Sequence, residues 1–204
     1  MKKNAYPGKF IVFEGLDGSG QTTQSSLLRD YLVGSGKVVL LTKEPTNDSS
    51  AAKEIRRVLD ESDVVDSLKL QKLFTQDRRE HLNNLIEPAL KRGEIVISDR
   101  YFFSTFAFGT SDGLDLEELI MMNDEFLLPD LTIILKVSPE VCVQRIEERG
   151  LGIKLFEKKE KLERVWKTYQ LLPERFENVH VVDGERPIEA ISEEIKGIFN
   201  EKLS

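Results

Sequence analysis

Phe10-Ile11-Val12-Phe13-Glu14-Gly15-Leu16-Asp17-Gly18-Ser19-Gly20-Gln21-Thr22-Thr23 is an apolar run that breaks into a glycine-rich turn. Beyond the turn, Leu27, Leu28, Tyr31 and Leu32 recur on one side of a helical pattern, so the stretch reads strand, loop, helix. Gly15, Gly18 and Gly20 allow a tight turn that aims successive N–H groups at phosphate oxygens, and the helix behind adds the positive end of its dipole. Thr22 would offer its hydroxyl to Mg²⁺. The flanking strand and helix favour phosphate binding over a glycine-rich turn that binds nothing.

Where such a loop carries its lysine, this chain has Gln21. Glutamine can replace the hydrogen bond of a lysine but not its charge. Losing one preorganised donor to a developing oxyanion costs roughly 3–4 kcal/mol, so slower catalysis is expected before lost binding.

Four further strand-like runs follow Phe10 to Phe13, with helical patterns between them: Val38 to Thr42, Ile95 to Ser98, Thr132 to Val137, and Val179 to Val182. Near-continuous apolar strands separated by helices predict an α/β fold with a five-stranded parallel sheet covered by helices on both faces. Ligands of such folds sit at the carboxyl ends of the strands. Those ends run into Glu14, into Thr42-Lys43-Glu44-Pro45-Thr46, into Ser98-Asp99-Arg100-Tyr101 and into Asp183-Gly184-Glu185-Arg186. The fourth ends at Ser138-Pro139, a helix start with proline in the first turn.

The 204 residues with 40% hydrophobic content suit one domain spanning 1–204,. The apolar runs are too short to span a bilayer, and Met1-Lys2-Lys3-Asn4 does not open a signal-peptide core, so a cytoplasmic protein is expected,. Cys142 is the sole cysteine, which excludes an internal disulfide and a multi-cysteine metal site,. His81 and His180 have no metal-ligand neighbour at helical spacing and read as surface or packing residues. A net charge of −7 argues against nucleic-acid binding, which needs a basic surface,.

Asp99 directly follows an apolar strand, where a phosphate-loop fold places the carboxylate that organises a metal and its water. Arg100 beside it could grip a phosphate through two parallel hydrogen bonds. Phe74 and Arg78 stand four apart in a helix-like stretch from Ser67 to Glu87, so a ring and a guanidinium share a face suited to a nucleobase,. Phe74 also continues a stripe with Leu70, Leu73 and Leu82, and spacing alone favours core packing. The Lys- and Glu-rich run Glu157 to Arg164 reads as a solvated helix face, with Leu162, Val165, Trp166 and Tyr169 on its buried side,.

These segments together resemble the thymidylate kinases, which move the terminal phosphoryl group of ATP to dTMP. The likeness spans nearly the whole chain. It runs through Phe13 to Gly20, Lys43-Glu44-Pro45, Phe74 with Arg78, Asp99-Arg100-Tyr101, Ser104-Thr105-Phe106-Ala107-Phe108, Pro129 to Thr132 and the helix with Leu162, Val165 and Tyr169. The resemblance implies a three-layer P-loop fold with a mobile lid at about 145–158, MgATP as co-substrate and a cytoplasmic homodimer. ATP would be held by Gly15, Leu16, Asp17, Gly18, Ser19, Gly20, Gln21, Thr22 and Thr23, with Arg145 and Arg186, and the segment around Asp183 to Pro187 would pass beside the adenine. Phe74 would stack on thymine, Arg78 would bond its edge, Thr105 would border the ring and Phe108 would wall off C2′ of the sugar. Asp17, Lys43, Arg100 and Tyr101 complete the implied dTMP site, and Thr22 with Asp99 the Mg²⁺ site.

The chain departs from the family pattern in three places. Gln21 replaces the loop lysine, Lys43 stands where arginine is common, and Gly109 where many relatives place glutamine against the base. Catalysis on this reading falls to Asp17, Gln21, Lys43, Asp99, Arg100 and Arg149. Arg149, with Arg145 or Lys154, would bring part of the missing charge at lid closure; the alternative is that Arg145 and Arg149 pair with Glu147, Glu148 or nearby carboxylates. Two other functional readings stay open: a nucleotide-binding protein that has lost catalysis, and a kinase for another pyrimidine deoxynucleotide.

Overall fold

The structure, a computed structural model, describes residues 1–61, 66–148 and 155–203. In chain order it runs β1 (Lys2–Lys3), β2 (Lys9–Gly15), α1 (Gln21–Gly34), β3 (Val39–Lys43), α2 (Ser50–Glu61), α3 (Ser67–His81), a π turn (Leu82–Ile86) and α4 (Glu87–Lys91). It continues with β4 (Ile95–Asp99), α5 (Phe102–Ser111), α6 (Leu116–Met122), β5 (Leu127–Leu128), β6 (Leu131–Lys136), α7 (Pro139–Glu147), α8 (Leu155–Arg175), β7 (Val179–Asp183) and α9 (Ile188–Leu203). Every strand read from the sequence is present, with ends displaced by a residue or two. Residues 149–154 of the lid expected at about 145–158 fall outside the described residues.

The main sheet has the order β3-β4-β2-β6-β7, and every pairing in it is parallel. Its central strand, β2, alternates between two apolar layers. Phe10 and Val12 join Phe102, Phe103, Phe106, Leu162 and Val165 on the face covered by α5 and α8. Ile11 and Phe13 join Leu28, Leu32, Ile191 and Phe199 on the face covered by α1 and α9. Burial on both faces is why these strands read as unbroken apolar runs.

The register sets the site. Phe13 pairs with Asp99 on one side and with Ile133 on the other, Lys43 also pairs with Asp99, and Lys136 pairs with Asp183. The carboxyl ends of the strands therefore form one edge, with β2 at the point where its neighbours diverge.

Two features depart from the sequence reading. Lys2–Lys3 and Leu127–Leu128 form a small parallel pair that their length concealed. The helix-like stretch from Ser67 to Glu87 is helical throughout, but its hydrogen bonding changes along the way: an α-helix capped by the Asp66 side chain on Lys69 N–H passes into the π turn and then α4. Pro88 accounts for the change, since it lacks an N–H for the carbonyl four residues back and its ring crowds that carbonyl.

Asp77, 1% exposed on α3, fixes the segment between β3 and α2: it accepts from Thr46 N–H at 2.8 Å, from Thr46 Oγ1 at 2.5 Å and from Ser49 Oγ at 2.5 Å. Asp77→Ala leaves a partly buried N–H and two hydroxyls without that acceptor. We expect a loss of about 3 kcal/mol, a fall in Tm of roughly 6–12 °C for a chain of this size. A Tm within about 2 °C of wild type by calorimetry would contradict this role.

Candidate active site

The glycine-rich turn leaves β2 through Gly15, Gly18 and Gly20, all at positive φ. Gly18 also meets α7 closely: a Cβ there would lie 2.7 Å from the Cys142 carbonyl oxygen. Gln21, at the first position of α1, is 5% exposed and turns inward. Its Nε2 donates to the Gly15 carbonyl at 3.1 Å, and its Oε1 accepts from Ser19 Oγ at 3.1 Å. Both ends of the amide are thus engaged by the loop itself. Leu16 is buried beneath the turn, while Asp17, Thr22 and Thr23 are exposed on it.

At the neighbouring strand end, Thr22 Oγ1 donates to Asp99 at 2.6 Å. Arg100, the next residue, has φ 74°, an uncommon conformation for a side chain-bearing residue,. Its N–H donates to the Phe13 carbonyl, and its own carbonyl accepts from Ser98 Oγ. This backbone directs the guanidinium across the edge of the sheet, where it donates to Asp17 at 2.8 Å and to Ser104 Oγ at 2.9 Å and lies 5.4 Å from the Phe108 ring centroid. Burial acts to lower its pKa, but the charges of Asp17, Glu14 and Asp99 outweigh that and raise it above the ordinary arginine value.

Behind Arg100 opens a cavity of about 370 Å³ between α3 and α5. Phe74, Tyr101, Thr105 and Phe108 border it, as do Leu70 and Leu162, and Arg78 lies against its inner wall. Arg78 is 1% exposed and held on several sides: Nε donates to Glu44 at 2.9 Å, Nη1 to Asn123 at 2.7 Å, and Nη1 and Nη2 each to Thr105 at 3.3 Å. His81 steadies the same glutamate at 3.1 Å while its other ring nitrogen contacts Thr42 at 2.7 Å, so it is a buried packing residue rather than a surface one. Phe74 faces the cavity instead of continuing the core stripe.

The structure thus brings together Asp17, Thr22, Asp99 and Arg100 at the mouth and Phe74, Arg78, Tyr101, Thr105 and Phe108 within. Lys43 is exposed at the end of β3, away from the cavity lining. Arg186 pairs with Glu194 and with the Asp183 carbonyl. Arg145 bridges this segment and the loop, donating to the Gly184 and Gly18 carbonyls at 3.3 and 3.4 Å. Arg149 and Lys154 lie outside the described residues. Burial pushes the Cys142 thiol up to about 12, which keeps it from acting as a nucleophile,.

Glu14 was read from sequence only as a strand end, yet its carboxylate joins the two halves of the site. Oε1 accepts from the N–H groups of Tyr101 at 2.9 Å and Ser104 at 3.2 Å, and Oε2 accepts from Ser104 Oγ at 2.6 Å and Tyr169 Oη at 2.9 Å. An acidic residue between an apolar strand and a glycine was the available signal; its partner Tyr169, 155 positions away, left none. Burial, then the Glu14 charge, push the Tyr169 hydroxyl well above the ordinary phenol value, so it remains a donor.

Chemically, the loop and its helix can hold a polyphosphate, the cavity can take a planar ring, and Arg100 stands between them. The family model described as thymidylate kinase matches residues 13–195. A probable thymidylate kinase of Pyrococcus horikoshii is 42% identical over 202 residues, covering 96% of this chain and 98% of the relative. Thymidylate kinases of Desulfotalea psychrophila and Caldicellulosiruptor saccharolyticus are 42% identical over 160 residues and 33% identical over 201 residues; the first covers 78% of this chain and 79% of the relative, the second 96% and 98%.

The Glu14 carboxyl generates a pH dependence of fixed sign. Burial pushes it up to about 7, against the opposing pull of the Arg100 charge and of hydrogen bonds from Ser104, Tyr169 and Tyr101 N–H. Its contribution to stability is therefore complete below about 4.5, where folded and unfolded chains both hold the proton, and is lost as pH rises through about 7,. Glu14→Gln removes that titration. In urea unfolding, the stability of the variant minus that of wild type is expected to rise by about 2–3 kcal/mol between pH 4.5 and pH 8,. A flat difference would show that Glu14 ionises normally.

Proposed function

The chain belongs to the thymidylate kinase family, and on that premise we propose that it transfers the terminal phosphoryl group of MgATP to dTMP, giving dTDP and ADP. The observation that carries this reading is the position of Arg100, held between the phosphate loop and the ring-binding cavity by Asp17 and Ser104. Both nucleotides would present their phosphates to that guanidinium.

The donor's β- and γ-phosphates lie on the loop amides at the start of α1, where backbone N–H groups and the helix dipole neutralise them. The acceptor's thymine enters the cavity, with Phe74 on its face, Arg78 and Thr105 at its edge and Phe108 beside the sugar. Arg100 exchanges its bond to Asp17 for the acceptor phosphate, whose oxygen then lies in line with the γ-phosphorus. Transfer of this kind needs positioning and charge neutralisation rather than covalent help from the protein.

One hydroxyl from Thr22 and one carboxylate from Asp99 suit a Mg²⁺ that keeps waters and takes phosphate oxygens,. Among the described residues no group of three or more His, Cys, Asp or Glu side chains is placed to hold a metal ion. Held by Thr22 and Asp99, Mg²⁺ would supply charge neutralisation for the donor's phosphates. Asp17 would release Arg100 and approach the deoxyribose. Arg186 would lie on the adenine side, Arg145 bridges that segment and the phosphate loop, and Arg149 is assigned to closure from the lid. Lys43 would act as a point charge at the acceptor phosphate, reaching it from outside the cavity. The working form is proposed as a cytoplasmic homodimer of one-domain chains.

The inward turn of the Gln21 amide favours a second reading, a nucleotide-binding protein without turnover. A coupled ADP-release assay with MgATP and dTMP, dUMP, dCMP or UMP separates the two. We expect turnover with dTMP that falls by about 10³-fold or more in Arg100→Ala, while Gln21→Lys, which adds the missing charge, raises kcat by about tenfold or more. Nucleotide binding by calorimetry without turnover on any acceptor would establish the second reading instead.

A further inference from the structure

Gln71, Phe74 and Arg78 stand at i, i+3 and i+7 on α3, and all three border the cavity. One helix face thus carries an amide, a ring and a guanidinium in a row. Arg78 can only donate. Of its five N–H groups, the one on Nε, two on Nη1 and one on Nη2 are engaged by Glu44, Asn123 and Thr105. The N–H on Nη2 without a partner among the described residues suits a carbonyl oxygen.

Gln71 is 1% exposed, and its Oε1 is buried with no hydrogen-bond partner among the described residues. A buried carboxamide oxygen without a donor carries a desolvation penalty that a ligand N–H would remove. The Tyr101 hydroxyl is a second orphan in the cavity wall. A hydroxyl donates as readily as it accepts and so discriminates little, whereas the glutamine oxygen accepts only. Across from Gln71 lies Gly109 of α5, where a Cβ would come within 3.4 Å of Gln71 Cγ and 2.7 Å of Leu119 Cδ1. The facing turn therefore has no side chain of its own with which to satisfy the amide.

We infer that Gln71 is a specificity-determining residue for the acceptor base: its Oε1 accepts the N3–H of a 2,4-dioxopyrimidine while the free Nη2 hydrogen of Arg78 donates to the neighbouring O4. The inference rests on the kinase reading above and names how that site selects its ring. A cytosine presents the reverse pattern, a bare N3 beside an amino group. Rotating the Gln71 amide could satisfy that N3, but Arg78 cannot accept from the amino group, so the pair still rejects it. Thymine and uracil share the recognised edge, and discrimination between them falls to the space around C5.

The test is calorimetric binding of dTMP, N3-methyl-dTMP and dCMP to the full chain, with the Tm of the ligand-free protein measured alongside. Wild type should bind dTMP and hold the N3-methyl analogue at least about tenfold more weakly. Gln71→Leu should weaken dTMP by about 10–100-fold, bring the two ligands toward equal affinity, and leave the ligand-free Tm unchanged or raised, because an orphaned polar atom has gone. If this variant does not fold, the same ratio is read on Gln71→Met. Retained preference for dTMP over its N3-methyl analogue would overturn the assignment. So would equal loss of both ligands with a lowered Tm, the signature of a purely structural glutamine. Wild type that binds ATP but not dTMP would sink the acceptor reading itself, and Gln71 with it.

Discussion

The site depends on one buried carboxylate. Glu14 occupies the last turn of the central strand before the phosphate loop, in a place where an apolar residue would pack without penalty. Instead it takes hydrogen bonds from the backbone at the start of α5, from Ser104 and from Tyr169 of α8. Two helices distant in sequence, α5 and α8, are thereby tied to the residue that precedes Gly15. Its position at the N-terminus of α5 also sets a negative charge against the positive end of that helix. The Ser104 hydroxyl, having given its hydrogen to Glu14, is left with lone pairs for Arg100, which fixes how that guanidinium is presented. Burial penalises the ionised form, and the donors around it together with the Arg100 cation offset only part of that cost,.

A second buried pair performs the same service deeper in the cavity. Glu44, on the segment after β3, binds Arg78 and His81 of α3. Asp77 on the same helix holds Thr46 and Ser49. The strand-end loop and α3 are therefore clamped at adjoining points, and the cavity wall is stiff before any ligand arrives. Rigid walls lower the entropy that binding must overcome.

The sequence made the sheet legible because each strand is buried on both faces and leaves an apolar run in its own residues. The loop was legible too, since glycines, strand and helix are contiguous, and so were Asp99 and Arg100, which follow a strand directly. What it concealed was long-range. Tyr169 reads as a residue on a buried helix face, and only the docking of α8 on α5 brings it to Glu14. Phe74 has the spacing of a core stripe and is drawn to the cavity by the way α3 meets α5. Gln71 reads as a polar residue on a helix surface, and its burial follows from packing that no local pattern encodes. The π turn at Leu82–Ile86 was signalled by Pro88, but the helical period on either side masked it.

The absence of the loop lysine has a physical consequence beyond one lost charge. In this loop Gln21 bonds the Gly15 carbonyl and the Ser19 hydroxyl, so the residue serves the shape of the turn. A lysine at that place would divide its ammonium between the turn and the phosphates. Here the two tasks are separate, and among the described residues the cations that reach the loop come from other elements: Arg100 at the end of β4 and Arg145 on α7. Arg145 gives its hydrogen bonds to the carbonyls of Gly18 and Gly184, which are easier to exchange for phosphate oxygens than a carboxylate partner would be. The contact of α7 on Gly18, too close for any Cβ, keeps that arginine in register with the loop. Charge would then reach the transferring group from a helix that leads into the lid region, which makes neutralisation on the proposed reading depend more on closure than it does when the loop carries the charge itself.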